Sequence, residues 1–267
     1  MNKIVIAGCG AMGGAILSGC LAKGLWRREE VFLKESTAAS AEKKAAAYGV
    51  SWTEDGREAA DADAVILAVK PNVIPSAARV LAAFAPKGTV ISIAAAVTLG
   101  ELASYFPEGT RIVRVMPNTP VSVGAGFTAI AGGPCASEED VRKAEEIFGA
   151  LGRTAAVTER QLDELGALSG AGPGYAFMII DALADAGVNI GLPRAVAIKA
   201  AAQTLFGAAK MALETGTHPA ALRDQVTSPG GTTIAGIQMM GRRGLRAALI
   251  DGVEACMKKS DAMAKKG

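Results

Sequence analysis

Apolar and polar positions change rhythm near Thr158. Before it, short runs that are apolar on every position alternate with longer stretches of helical period. Strand-like runs occupy residues 3–7, 31–33, 64–69, 89–93 and 111–116, with a further pair at 127–131 and 154–157. Val, Ile and Ala on both faces predict strands buried on both sides, as in a parallel sheet with helices above and below. The helical patterns lie between them, at 13–23, 37–48, 74–84, 98–106 and 137–151. Thr98 with Glu101, and Ser137 with Asp140, have the spacing of reciprocal helix-start pairs.

Beyond Thr158 the strand rhythm stops. Thr158 and Gln161 make another cap pair, and apolar stripes of helical period follow over 175–187, 193–214, 219–226, 232–240 and 245–265. Pro193 and Pro219 sit where a first helical turn tolerates a missing N–H. The pattern divides the chain into a nucleotide domain, residues 1–158, and an all-helical domain, residues 159–267. The stripes at 175–187 and 193–213 are apolar around most of the helix, more than so small a domain covers by itself. A second copy of the chain is the expected cover, which makes this a homodimer through the helical domain.

Composition narrows the partners. Half of the residues are apolar but only 4% are aromatic, so the core must be closely packed Ala, Val, Ile and Leu. With 28 basic against 26 acidic residues and no long basic tract, neither nucleic acid nor an anionic membrane is expected. The longest apolar stretch, 89–99, is too short for a bilayer, and a strand starting almost at once leaves no room for a signal peptide. Cys9, Cys20, Cys135 and Cys256 lack CxxC spacing and His neighbours, so neither a disulfide framework nor a metal site is expected, and the cytoplasm fits. Cys9 reads as a small space-filler within its glycine loop. Small soluble ligands are the default.

Two turns carry candidate chemistry. Gly8-Cys9-Gly10-Ala11-Met12-Gly13 follows an apolar strand and opens a helix, the context in which GxGxxG binds a dinucleotide. Gly8 permits the tight turn, Gly10 the approach of the pyrophosphate, and Gly13 close helix–strand packing. The second turn, Ser228-Pro229-Gly230-Gly231-Thr232-Thr233, precedes a helical run and gathers N–H groups at a helix N-terminus, a seat for a small carboxylate. One anion seat for a dinucleotide and one for a small acid suggest a reductase. At the end of the second strand, Lys34, Ser36 and Thr37 suit a 2′-phosphate, whereas an inward Glu35 suits a free ribose hydroxyl.

With these turns stand Ala68-Val69-Lys70-Pro71, Ser92-Ile93-Ala94-Ala95, Arg114-Val115-Met116-Pro117-Asn118-Thr119-Pro120 and Leu168-Ser169-Gly170-Ala171-Gly172-Pro173, then Ala182 to Val188 and Gly191-Leu192-Pro193. In this order and spacing the chain resembles the pyrroline-5-carboxylate reductases over essentially its whole length. The resemblance implies a Rossmann-like domain, then a helical domain interlocked with a second subunit, often in rings of dimers. It implies reduction of Δ1-pyrroline-5-carboxylate to L-proline with NADPH, NADH being the alternative. By position Ala68, Val69, Lys70 and Pro71 would line the cofactor, with Ala94, Ala95 and Ala96 near the nicotinamide. Glu159, Thr232 and Thr233 would surround the imino acid, and Ser228 would shape that loop. Some positions depart from the family pattern. Ala171 and Gly174 replace a usual Ser and Ala, Asp55 stands for a cofactor-contacting Asn, Gln225 occupies another contact position, and a Glu is lost around Gly241. Asp55 and Glu35 both disfavour a 2′-phosphate.

Hydride transfer to a C=N carbon asks the protein to stack two flat rings, anchor a carboxylate and manage one proton. The N–H groups of Gly231, Thr232 and Thr233 are expected to hold the carboxylate. Thr233 Oγ1 would contact the ring nitrogen as positioner or proton relay, with water or an already protonated imine as the alternative proton source. A plain helix cap is the competing reading of Thr233. Glu159 either attracts the iminium or favours the start of its own helix. Lys70 ends a parallel strand, where ligands collect. Asn118 either fixes the loop under the nicotinamide or forms an Asx-turn. His218, the single histidine, reads as a turn or cap residue. A related hydroxyacid dehydrogenase would need a Lys base within residues 170–186, which contain no Lys or His. A non-catalytic nucleotide-binding dimer would not need the intact Thr232-Thr233 turn. Metal-assisted reduction would depend on Asp163, Glu164, Asp181 and Asp185, which fit capping or pairing better.

Overall fold

A computed structural model describes residues 3–264; the last residue of the run expected to reach Lys265 lies outside the described residues. The first compact unit extends to Ala171 and resumes at Cys256, and the second is Gly172–Ala255.

The first unit holds an 8-stranded sheet of order β3-β2-β1-β4-β5-β6-β7-β8. Its strands are β1 Ile4–Ala7, β2 Val31–Lys34, β3 Ser51–Trp52, β4 Ala64–Leu67, β5 Thr89–Ser92, β6 Ile112–Pro117, β7 Gly126–Gly132 and β8 Gly152–Ala156. From β3 across to β6 all neighbours run parallel. β7 runs antiparallel to β6 and β8 parallel to β7. The connection from β6 to β7, residues 118–125, is too short for a crossover, and that forces the reversal. β3 was not foreseen, because two residues set up no period.

Six helices cover the sheet: α1 Ala11–Ala22, α2 Ala38–Tyr48, α3 Ile74–Ala82, α4 Leu99–Ser104, α5 Glu138–Gly149 and α6 Glu159–Leu165. Successive β1 residues point to opposite faces. Ile4 and Ile6 join a core with Ile16, Leu17 and Phe148, while Val5 and Ala7 join one with Ile74, Leu81 and Leu102. Ser137 and Thr158 form the expected reciprocal caps. Thr98 completes only half of its pair: it accepts from the Glu101 N–H, but the Glu101 carboxylate accepts from Tyr105 Oη at 2.9 Å instead.

Arg114, on β6, is 1% exposed and was not expected to matter. Its Nη1 donates to Glu159 Oε1 at 3.0 Å and its Nη2 to Asp163 Oδ1 at 2.6 Å, tying α6 to the sheet. The Leu99 N–H, at the start of α4, donates to the same Glu159 oxygen at 2.6 Å.

After a π-helical turn, Gly166–Gly170, come α7 Gly172–Asn189, α8 Arg194–Thr215, α9 Pro219–Gln225, α10 Thr232–Arg242 and α11 Leu245–Ala264. Pro219 takes the first helical position of α9, whereas Pro193 is the residue just before α8. His218 caps α9, its Nδ1 accepting from the Ala220 N–H at 3.2 Å. α7 and α8 approach closely through Ala184, Gly187, Ala197 and Ala201; a Cβ on Gly187 would lie 2.8 Å from that of Ala197. Their other faces are bare in the single chain, with Phe177 64% and Phe206 58% exposed. Residues 159–189 are long and apolar enough to cross a membrane by length and composition, a longer candidate than the 89–99 stretch. The charges of α6 hide that length from a simple apolar run.

Candidate active site

Strand order reverses at β1, which has β2 on one side and β4 on the other, and ligands collect above the C-terminal ends of strands at such a point. The turn after β1, the turn after β4 and the end of β2 wall an open cavity of about 530 Å³. Of the expected cofactor residues, Gly8, Gly10, Lys34, Glu35, Ser36, Ala68, Val69 and Lys70 line it. Lys44 of α2 and Val73, Ser76, Ala77 and Val80 near or on α3 complete the wall. No motif marks these five; only the way α2 and α3 pack brings them in.

The three glycines have different surroundings. Gly8 has φ +92°, and a Cβ there would lie 2.6 Å from Val69 Cγ1. On Gly13 a Cβ would lie 2.2 Å from the Gly8 carbonyl oxygen, so that glycine seats α1 on the strand. Around Gly10 such an atom would meet nothing within 4 Å. Gly10 is also the N-cap of α1, and no side chain caps it, leaving first-turn amides for an anion. Ala11 and Met12 supply the backbone of that turn. The dinucleotide pyrophosphate fits this donor set.

Glu35 points inward. Its Oε1 accepts the Cys9 N–H at 2.5 Å and its Oε2 accepts Lys44 Nζ at 2.8 Å. Lys34 Nζ folds back onto the Glu35 carbonyl oxygen at 2.7 Å. Burial, and then the Glu35 charge, push the Cys9 thiol up, which fits a space-filler rather than a nucleophile. Burial pushes Cys20 up to about 12.

Other candidates lie apart from this cavity. Asp55 holds Arg57 through paired hydrogen bonds that draw its carboxyl down to about 2. Pro71 begins the short 3-10 turn after Lys70. Ala94, Ala95 and Ala96 follow β5, and Ala96 has φ +60°, a strained value for a residue with a Cβ. Asn118 does more than form a local turn: Oδ1 accepts the Phe127 N–H at 2.9 Å and Nδ2 donates to the Ser169 carbonyl at 3.0 Å. The π-helical turn is thereby tied to the loop after β6. Gln225 ends α9 in the second unit, whereas the other cofactor candidates belong to the first.

In the second unit, Gly230 at φ +70° turns the chain into α10, and Gly231 is its N-cap without any side-chain cap. Thr232 and Thr233 are therefore the first two helical residues, and Thr233 is not the cap. The Gly231 N–H donates to the Ser228 carbonyl at 3.0 Å and is not free for a ligand. A Cβ on Gly231 would lie 2.4 Å from Ser228 Oγ, so Ser228 does shape the turn. The open donors are the amides of Thr232, Thr233 and Ile234. Glu159 is no free carboxylate either, since Arg114 and Leu99 share its Oε1.

Comparison with known proteins draws the parts together. The family profile described as pyrroline-5-carboxylate reductase dimerisation matches residues 159–263, and one described as NADP oxidoreductase, coenzyme F420-dependent, matches residues 3–96. A pyrroline-5-carboxylate reductase from Synechocystis sp. is 42% identical over 265 residues, covering 99% of each chain. The chain belongs to the pyrroline-5-carboxylate reductase family. The solved reductase from Coxiella burnetii superposes with TM-score 0.91 at 35% identity, covering 98% of each chain. That from Plasmodium falciparum, solved with NADP bound, gives 0.84 at 28% identity and the same coverage. The chain is thus an oxidoreductase acting on an imine, with a Rossmann-type domain and a helical domain of the dimerising kind.

Proposed function

We propose that the chain reduces Δ1-pyrroline-5-carboxylate to L-proline with the substrate carboxylate on the N-terminus of α10 and the dinucleotide on that of α1. The observation that carries this is the pair of glycine-capped helix starts, at Gly10 and Gly231, whose amides no side chain occupies. When bound, a reduced nicotinamide supplies the hydride. The turn after β4, Ala68 to Pro71, would line the cofactor, with Ala94 to Ala96 near its nicotinamide, and Asn118 keeps the loop beyond β6 in place. The amides of Thr232, Thr233 and Ile234 take the carboxylate, and Thr233 Oγ1 orients the imine nitrogen for protonation by water. Glu159 acts as a positioning residue, fixing the start of α6 against α4.

We place the domain boundary at a nucleotide domain of 1–158 and a helical domain of 159–267, a reading supported by the dimerisation profile that begins at residue 159. We read the apolar 159–189 stretch as protein interface rather than membrane span, since Asp181 and Asp185 lie within it and the matched segment is a dimerisation one. Rings of dimers extend the same reading. Free cysteines throughout are in keeping with a cytoplasmic enzyme.

The test follows loss of reduced-nicotinamide absorbance with pyrroline-5-carboxylate, for wild type and Thr233→Ala. Losing one positioned hydrogen bond lowers kcat/KM by roughly 10–100-fold with nucleotide affinity unchanged. Unaltered kcat/KM in the variant would remove Thr233 from the site.

A further inference from the structure

We propose that Glu35 makes NADH the preferred cofactor of this chain, a selectivity that rests on the dinucleotide reading above and runs against the NADP profile matched by residues 3–96. Its side chain is 9% exposed, at the C-terminal end of β2 and in the wall of the cavity. The Cys9 N–H on one oxygen and Lys44 Nζ on the other hold the carboxylate in one place, with Ser40 Oγ 3.5 Å from Oε2. With the pyrophosphate on the start of α1, this end of β2 receives the adenosine ribose. Each carboxylate oxygen keeps lone-pair capacity for a ribose O–H.

A 2′-phosphate brings no donor once ionised, and adds a charge of about −1.5 to −2 beside a fixed anion. The cations around Glu35 do not reverse this. Lys44 is paired with Glu35 itself, and Lys34 is turned onto the Glu35 carbonyl. Arg57, in the turn after β3, is held by Asp55 at 2.7 Å. Among the described residues, no guanidinium lines the cavity wall to fork onto a phosphate.

The experiment titrates the intact protein with NADH and NADPH by calorimetry, for wild type, Glu35→Gln, Glu35→Ser and Lys44→Met. Wild type should bind NADH roughly tenfold or more tightly than NADPH, and both Glu35 variants should shrink that ratio by about tenfold, mainly by weakening NADH. Equal or tighter NADPH binding by wild type overturns the inference while leaving the dinucleotide site intact. So does an unchanged ratio in Glu35→Ser, or a selective loss of NADPH affinity in Lys44→Met, which would make Lys44 a phosphate ligand. Binding of neither nucleotide would sink the dinucleotide reading as well. The wild-type comparison decides even if a variant fails to fold.

Discussion

Gly10 and Gly13 are three residues apart in one motif, yet their substitution by Ala should differ in its cost to stability. At Gly13 the new methyl would overlap the Gly8 carbonyl oxygen at 2.2 Å, and backbone cannot yield as a side-chain tip can. Gly13→Ala should cost about 1–3 kcal/mol of stability along with nucleotide binding. At Gly10 the methyl enters open space, so Gly10→Ala should melt within roughly 0.5 kcal/mol of wild type but bind nucleotide at least about tenfold more weakly. Thermal melts paired with nucleotide titrations separate the two; equal destabilisation would refute the division of labour. The close packing at Gly13 was legible in the sequence because GxGxxG states a backbone requirement. Which amide of the late turn is free was not legible, since the Gly231 N–H is withdrawn by a carbonyl only three residues away.

Among the elements, α6 depends on a charge cluster that no periodicity announces. Arg114 occurs in a strand-like run that gives it no partner, and it lies buried under Glu159 and Asp163, whose side chains are 32% and 35% exposed. Replacing both acids by Ala would leave a buried guanidinium unpaired, at a cost of about 3–5 kcal/mol. Arg114→Met leaves only two half-solvated carboxylates and should cost clearly less. Denaturant unfolding of both proteins checks the order, and the reverse ranking would show that the cation is not what these acids serve. The cap pairs behaved differently from one another for a local reason. Ser137-Asp140 and Thr158-Gln161 closed reciprocally, while Tyr105, one turn on, drew Glu101 away.

For the whole molecule, the exposed apolar faces of α7 and α8 call for a second chain. Phe177 and Phe206 contribute little to the packing of the single chain, so charging them should spare the fold. Phe177→Glu with Phe206→Glu is expected to halve the mass measured by light scattering, with the helical circular dichroism retained. A protein that stays dimeric at wild-type concentrations would place the interface elsewhere. The need for a partner was readable in advance, because an all-round apolar helix states a deficit of cover whatever its surroundings.

The same logic separates what the chain's sequence determined from what its tertiary structure decided. Period and composition were enough for the sheet of buried parallel strands, the helical second half, the glycine turn and the Thr232-Thr233 turn, since each follows from local backbone geometry or from which faces must leave water. The sheet order, the antiparallel β7, the burial of Arg114 and the inward aim of Glu35 were decided by contacts between residues far apart in the chain. At Lys34-Glu35-Ser36 the sequence allowed either cofactor. Only the Cys9 amide and the Lys44 ammonium, brought in by β1 and α2, orient the carboxylate into the cavity.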